Sequence, residues 1–313
     1  MTGLIHLIRS KELTGYGNVK TLYQWEEGKA LLAADLVEYQ GAPGVVLCYC
    51  NPPVHQVGNP GLDAYLAALD RISESLAGLR FLILAGPSDP VHAGGDLKES
   101  LTNLDNTLKV KQGKEKAGAP MPEIDRLFAW ADGRIQKGGR LHARVRELSQ
   151  SLRVVAVCGG GTRFGGSAEI PLMADYLVGD SRSGMCFSEC MIGLIPGWAG
   201  VARAIVKAGP LNAAYMAKTG REVKAEDLWR IGIYNQVVEI PFPLPKRGRS
   251  NDPEADKARY REALAENDLE TARLLLPEGL RLATCPEEEI PGVAPEDRAV
   301  LASEEEINRE VAR

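Results

Sequence analysis

Two glutamates stand out as groups that could do chemistry. Glu169 lies in SAEIPLM and Glu189 in CFSECMI, twenty positions apart, each among small and apolar residues. Such surroundings penalise a carboxylate's charge, so the group needs a partner or a purpose. Two carboxylates in different environments can divide acid and base work on one water molecule. Two glycine turns accompany them. HAGGDL (His92–Leu97) follows the apolar run Arg80–Ala85, and Gly165-Gly166 follows Val154–Cys158 and its three glycines. Glycine lets a backbone approach a ligand closely. A turn that opens a helix offers free N–H groups at the positive end of the helix dipole. Two such turns, one after each of two parallel strands, can aim two N–H groups at one oxygen. That is an oxyanion hole, suited to a thioester carbonyl on its way to an enolate. Each signal also has a plainer reading. Tight strand–helix turns need glycine for steric reasons, Glu169 can serve a helix dipole, and Glu189 can sit on a surface.

The elements that must position these residues are partly legible. Gly44–Cys50 reads as a strand, with Pro43 before it and Asn51-Pro52-Pro53 after it. Leu62, Leu66, Leu69, Ile72 and Leu76 recur at helical spacing, with Asn59 as the expected N-cap, Pro60 at the first helical position and Gly78 at the C-terminal cap. Arg80–Ala85 reads as a buried strand, which makes a parallel strand–helix–strand unit. A helix is expected to begin near Asp96, with Asp96 as its cap. Residues 103–140 are rich in Lys, Gly and Pro, then turn helical from Ile124, and are expected to form a long insertion or lid. Leu141–Leu152 is expected as a helix feeding the central strand, with a further strand at Tyr176–Val178. Short helices are expected at Ala199–Lys207, Leu211–Lys218 and Ala225–Arg230, and a strand at Tyr234–Glu239. Pro241–Pro253 has linker composition, followed by one or two charged amphipathic helices over 254–282 and an acidic, proline-interrupted tail over 283–313.

Composition narrows the classes. The 313 residues are 44% hydrophobic and 25% charged, ordinary for a globular protein, and the net charge of −5 gives no support for nucleic-acid binding. No run of about 18 apolar residues exists, and the amino terminus lacks the pattern of a signal peptide, so a cytoplasmic protein without membrane contact is expected. The six cysteines lack zinc-ribbon spacing and read as free thiols, with no metal site.

Four segments resemble the crotonase, or enoyl-CoA hydratase/isomerase, family: HAGGDLKE, GTRFGGSAEIPLMAD, FSECMIGLIPGWAG and AKTGREVKAEDLWRIGIYNQVV. Their order and spacing match the family's pattern from about residue 44 to 240. The resemblance implies an α/β spiral of repeated ββα units, giving two roughly perpendicular sheets over residues 1–240, with a C-terminal helical region and tail over 241–313. It implies that Gly95 and Gly166 supply the oxyanion-hole N–H groups and that Glu169 and Glu189 are the two catalytic carboxylates. The implied activity is syn hydration of an α,β-unsaturated acyl-CoA, in which Glu169 activates water and Glu189 protonates the α-carbon. A double-bond isomerase using Glu189, a C–C bond hydrolase of a ketoacyl substrate, and a non-catalytic scaffold are the alternatives. No cofactor is implied beyond the CoA of the substrate, and a homotrimer or homohexamer is.

The sequence departs from the family at several points. Ser167 stands for the third glycine, Pro171 for a usual Ala, His92 for a usual Phe, and Ser188 for a usual Pro. Ala93, His92 and Trp198 are candidate substrate contacts, although a loop histidine and a core tryptophan are equally ordinary. Cys190 reads as filler beside the acid. Lys109, Lys111, Lys114 and Lys116 are candidates for the CoA phosphates, or simply a solvated face. The insertion and the tail point to a bulky, cyclic or otherwise unusual acyl group.

Overall fold

Side chains alternate between two apolar layers along the central strands of the computed structural model. In the third strand Val45, Leu47 and Tyr49 face one layer while Val46 and Cys48 face the other. Leu82 and Leu84 oppose Phe81 and Ile83 in the next, and Val154, Ala156 and Cys158 oppose Val155 and Val157 in the sixth. A strand covered on both faces must be apolar throughout, which is why these segments read as continuous hydrophobic runs.

The structure describes residues 3–10, 12, 13, 15, 17, 19–117, 129–248 and 252–312. The elements run α1 (Gly3–Ser10), β1 (Lys20–Glu27), β2 (Ala30–Tyr39), β3 (Ala42–Cys50), α2 (Asn59–Glu74), β4 (Phe81–Ala85), β5 (Val91–His92), α3 (Leu97–Lys116) and α4 (Ala129–Leu148). They continue β6 (Arg153–Cys158), β7 (Thr162–Phe164), α5 (Gly166–Leu172), β8 (Tyr176–Asp180), β9 (Gly184–Cys186), a 3-10 turn (Ser188–Ile192), α6 (Gly200–Ala208) and α7 (Pro210–Thr219). The last are β10 (Val223–Lys224), α8 (Ala225–Arg230), β11 (Gln236–Val238), α9 (Pro253–Thr284) and α10 (Glu304–Val311).

The large sheet has the order β1-β2-β3-β4-β6-β8-β11 and the small one β10-β9-β7-β5. β3, β4, β6, β8 and β11 pair parallel, while β1, β2 and β3 are antiparallel. Three times in succession one strand enters the large sheet and the next enters the small one: β4 then β5, β6 then β7, β8 then β9. This recurrence is the expected ββα spiral. Helices α2 and α4 cover one layer of the large sheet, and α1 and α9 cover the other.

Several local expectations change. Asn59 is the first residue of α2, not its N-cap; Gly58 takes that place, and the Asn59 amide group donates to Glu99 Oε1 at 3.0 Å. Gly78, at φ +90°, lies beyond the Ser75 C-cap, in the turn to β4. Residues 20–39, weakly patterned in sequence, form two strands, and the apolar Leu4, Ile5, Leu7 and Ile8 make α1 a helix packed on α9. The segment 103–140 contributes to two helices of 20 residues each; the expected helix start at Ile124 lies outside the described residues. Helix α9 is bound into the fold: Asp268 accepts from Leu4 N at 3.1 Å and Ser88 N at 2.8 Å. Close approach of α9 to β6 requires a glycine, since a Cβ on Gly279 would collide with Val157. All six cysteines are free, four of them buried.

Candidate active site

Register in the small sheet brings the two glycine turns together. β5 pairs parallel with β7, Val91 opposite Thr162 and His92 opposite Arg163. Two to three residues further on, Gly94-Gly95 therefore meets Gly165-Gly166. The approach is backbone to backbone: a Cβ on Gly94 would lie 2.7 Å from both Gly166 N and Phe164 O. β9 pairs with β7 in turn, Cys186 opposite Phe164, and Gly165 N donates to Cys186 O at 2.9 Å. Three neighbouring strands thus deliver Gly95, Gly166 and Glu189 side by side.

The first turn is held from two directions. Val57 N donates to Gly94 O at 2.9 Å and Asp96 N donates to Val57 O at 3.1 Å. Asp96 caps α3 by accepting from Glu99 N at 3.0 Å. Arg134, 9% exposed, reaches over from α4. It donates to Asp96 O at 3.1 Å, Ser100 Oγ at 2.6 Å and Val57 O at 2.8 Å. Its guanidinium lies over Gly95, where a Cβ would stand 2.8 Å from Nη2. Sequence reasoning missed Arg134, because one arginine in a polar helix carries no signal; its role follows only from the pairing of α4 with the turn. The second turn opens α5, with Gly165 at φ +53° as its N-cap. Ser167, which replaces a glycine of the family pattern, donates its hydroxyl to Ala93 O and so ties the second turn to the first.

The two glutamates are held in contrasting ways. Glu169 lies in the first turn of α5 and is 2% exposed. Its Oε2 accepts from Trp198 N and Gly200 N, both at 2.8 Å. A Cβ at Gly200 would collide with the Glu169 side chain, so this contact requires glycine. Burial, with a further push from the charge of Glu189, raises the Glu169 carboxyl to about 7, against the pull of the two amides. Glu189 sits on the 3-10 turn, half-buried, beside Gly165. Its Oε2 is buried without a hydrogen-bond partner among the described residues, and burial raises its carboxyl above the usual range. An unpartnered buried carboxylate oxygen is costly, and is what a group waiting for water or substrate looks like.

The remaining candidates separate. Trp198 is 6% exposed and packs between Gly138 of α4 and Gly166 of α5, both of which a Cβ would drive into the indole. Ala93 N donates to Val54 O at 2.6 Å. His92 is buried, its ring 5.1 Å from that of His55, and lines a small hollow with Ser167, Tyr49 and Cys158 that Glu169, Glu189 and Trp198 do not line. Its neighbour His55 pairs with Asp89 at 2.5 Å. Burial, and then the charge of Arg163, keeps the His92 ring well below its usual pKa, so it is neutral. Cys190 donates weakly to Phe187 O at 3.7 Å. Lys109, Lys111, Lys114 and Lys116 lie on solvent-facing α3. The segment after Glu189 is apolar and exposed at Met191, Ile192, Leu194 and Ile195, and Leu97 and Leu101 of α3 and Ile135 of α4 are exposed too.

The sequence profile described as enoyl-CoA hydratase/isomerase matches residues 136–240, which include both glutamates and the second glycine turn. Over that segment the chain resembles the enoyl-CoA hydratase/isomerase family, and its fold is that of the crotonase enzymes. Its relatives include the fatty acid oxidation complex subunit alpha of Idiomarina loihiensis, 31% identical over 156 residues, 46% of this chain and 21% of that protein. Carnitinyl-CoA dehydratase of Proteus mirabilis is 29% identical over 141 residues, 45% of this chain and 54% of that one. The chain thus spans between about a fifth and about half of the length of these curated relatives. An enoyl-CoA hydratase/isomerase from Marinobacter aquaeolei shares the crotonase fold at TM-score 0.51 and 18% identity, over 79% of this chain and 81% of that one. Pseudomonas aeruginosa DspI superposes at TM-score 0.51 and 15% identity, over 97% and 100% of the two chains. Among the described residues no helix is long and apolar enough to cross a membrane, and no cluster of metal-ligating side chains occurs.

Proposed function

We propose that this protein hydrates an α,β-unsaturated acyl-CoA thioester. One observation carries the reading: a buried carboxyl raised to about 7 adjoins a second carboxyl with an unpartnered buried oxygen, at the contact of two glycine turns. The thioester oxygen accepts the N–H groups of Gly95 and Gly166. Glu169, ionised, takes a proton from water, and the water oxygen bonds to the β-carbon. The electron pair of the double bond moves onto the thioester as an enolate, which the two N–H groups stabilise. Glu189 then gives a proton to the α-carbon, and the thioester re-forms. Water is added and nothing is oxidised or reduced. The exposed apolar residues of α3, α4 and the 191–195 segment suit an apolar acyl group, cyclic or bulky included.

A second reading, double-bond isomerisation, is favoured by the tethering of Glu169 Oε2 to two amides, which leaves Glu189 as the freer group. A panel of linear and cyclic enoyl-CoA thioesters, followed by loss of the conjugated-thioester absorbance, separates the two. Hydration lost in Glu169→Gln with isomerisation retained supports the division of roles. Hydration undiminished by that change contradicts it. Binding of thioesters without turnover on any would favour a scaffold protein.

A further inference from the structure

A second polar hollow, of about 580 Å³, lies at the amino-terminal ends of β6 and β8. The glycine turns follow the opposite ends of these strands, roughly 20 Å away for a strand of six residues at about 3.3 Å each. In a chain of net charge −5, this hollow is locally positive: Arg153, Arg203, Lys207 and Arg298 line it, against Asp175 and the exposed Glu287. Asp175 is already engaged, accepting from Arg146 at 2.6 Å, Ser149 Oγ at 3.0 Å and Val154 N at 3.0 Å. Glu287 accepts from Tyr176 at 3.3 Å.

Part of this cation cluster caps backbone carbonyls. Arg203 Nε donates to Leu172 O at 3.2 Å, and Lys207, 8% exposed, donates to Asp175 O at 2.7 Å. Arg153 donates to Leu282 O and Cys285 O. Capping accounts for one donor of Arg203 and one of Lys207. Arg298 Nε is buried with no hydrogen-bond partner among the described residues. Burial and then the charge of Arg203 push Lys207 down to about 7, with the nearby Asp175 pulling the other way. The volume is that of a small-molecule site.

We propose that this hollow binds a small molecule through a phosphate group held by Arg203, Lys207 and Arg298. Guanidinium groups match phosphate oxygens two at a time, and a bound dianion favours the charged form of Lys207 beside the two arginines. The ligand is separate from the thioester of the proposed reaction, and the inference does not depend on that reaction.

The test is calorimetric titration of the full chain with inorganic phosphate, ionic strength held constant with chloride. Saturable one-site binding is expected, at least tenfold weaker in Arg298→Ala and in Lys207→Gln, unchanged in Glu169→Gln and not displaced by coenzyme A. Lys207→Gln keeps a donor for the Asp175 carbonyl, so it serves if Arg298→Ala fails to fold. Heat that does not saturate, equal affinity in the wild type and the folded variants, or displacement by coenzyme A would overturn the proposal.

Discussion

Helix α5 carries opposite charges at its two ends. Glu169 sits in its first turn, where free N–H groups and the helix dipole favour a carboxylate. Past its last turn, Arg203 and Arg146 cap Leu172 O and Met173 O, and Lys207 caps Asp175 O. Both ends bury charge, and burial shifts both away from charge: Glu169 up to about 7 and Lys207 down to about 7. The difference lies in what remains unpaired. At the first end a carboxylate oxygen of Glu189 is open, toward the turns that could hold a carbonyl. At the second end Arg298 Nε, beside a hollow, has no partner among the described residues. One seven-residue helix thus separates a site suited to proton transfer from one suited to anion binding.

The largest way to break this comparison is Glu189→Gln. If Glu189 is the proposed proton donor to the α-carbon, hydration and isomerisation should both fall by about 10² to 10⁴-fold, the usual worth of a positioned acid or base. Steady-state turnover with thioester binding measured in parallel checks this. Next comes Arg134→Met, which removes one donor each from the carbonyls of Val57 and Asp96 and loosens the Gly95 turn. Turnover should drop about tenfold to a hundredfold with a smaller change in thioester affinity, and stability by about 1–3 kcal/mol in a denaturant titration. An unchanged rate would show that the turn holds itself.

The two ends should also differ in the sign of their pH dependence. Glu169 has a folded pKa above its ordinary 4.5, so the folded chain keeps a proton that the unfolded chain releases between 4.5 and about 7. Stability from this group falls as pH rises through that window, and Glu169→Gln should remove the slope. Lys207 has a folded pKa below its ordinary 10.5, so the unfolded chain keeps the proton between about 7 and 10.5. Its contribution rises with pH there, and Lys207→Met should remove it. Melting temperatures across pH 4–10 measure both. The smallest effect is at Ala199, a non-glycine residue at φ +70°. Ala199→Gly relieves that strain at the cost of a looser unfolded chain, for a net gain of up to about 1 kcal/mol in thermal denaturation.

Much of the site was legible in the sequence because its parts are local. Two buried strands, two glycine turns and two carboxylates each sit within a short segment, and their order carries the resemblance. What could not be read is pairing. Strands β5, β7, β9 and β10 have two or three residues each, too few for any periodicity, yet their register decides that Gly95 and Gly166 meet. Arg134 depends on where α4 docks, and Asn59 leaves the cap position because Glu99, forty residues away, takes its amide. The cation hollow is assembled from β6, β8, α6 and the chain near residue 298, so no window of sequence contains it. Helix α9 is the charged amphipathic helix expected over 254–282, with a Leu275, Leu276 and Leu280 stripe that covers the sheet.

The central claim is that two carboxylates, not one, act at the glycine turns. It is tested most directly by the rate of water addition to a short enoyl-CoA thioester by the wild type and Glu169→Gln, with double-bond isomerisation of the same acyl chain assayed alongside. The expected result is hydration lower by at least about a hundredfold in the variant, with its rise through pH 7 abolished, and isomerisation largely retained. Hydration at the wild-type rate in Glu169→Gln would contradict the account.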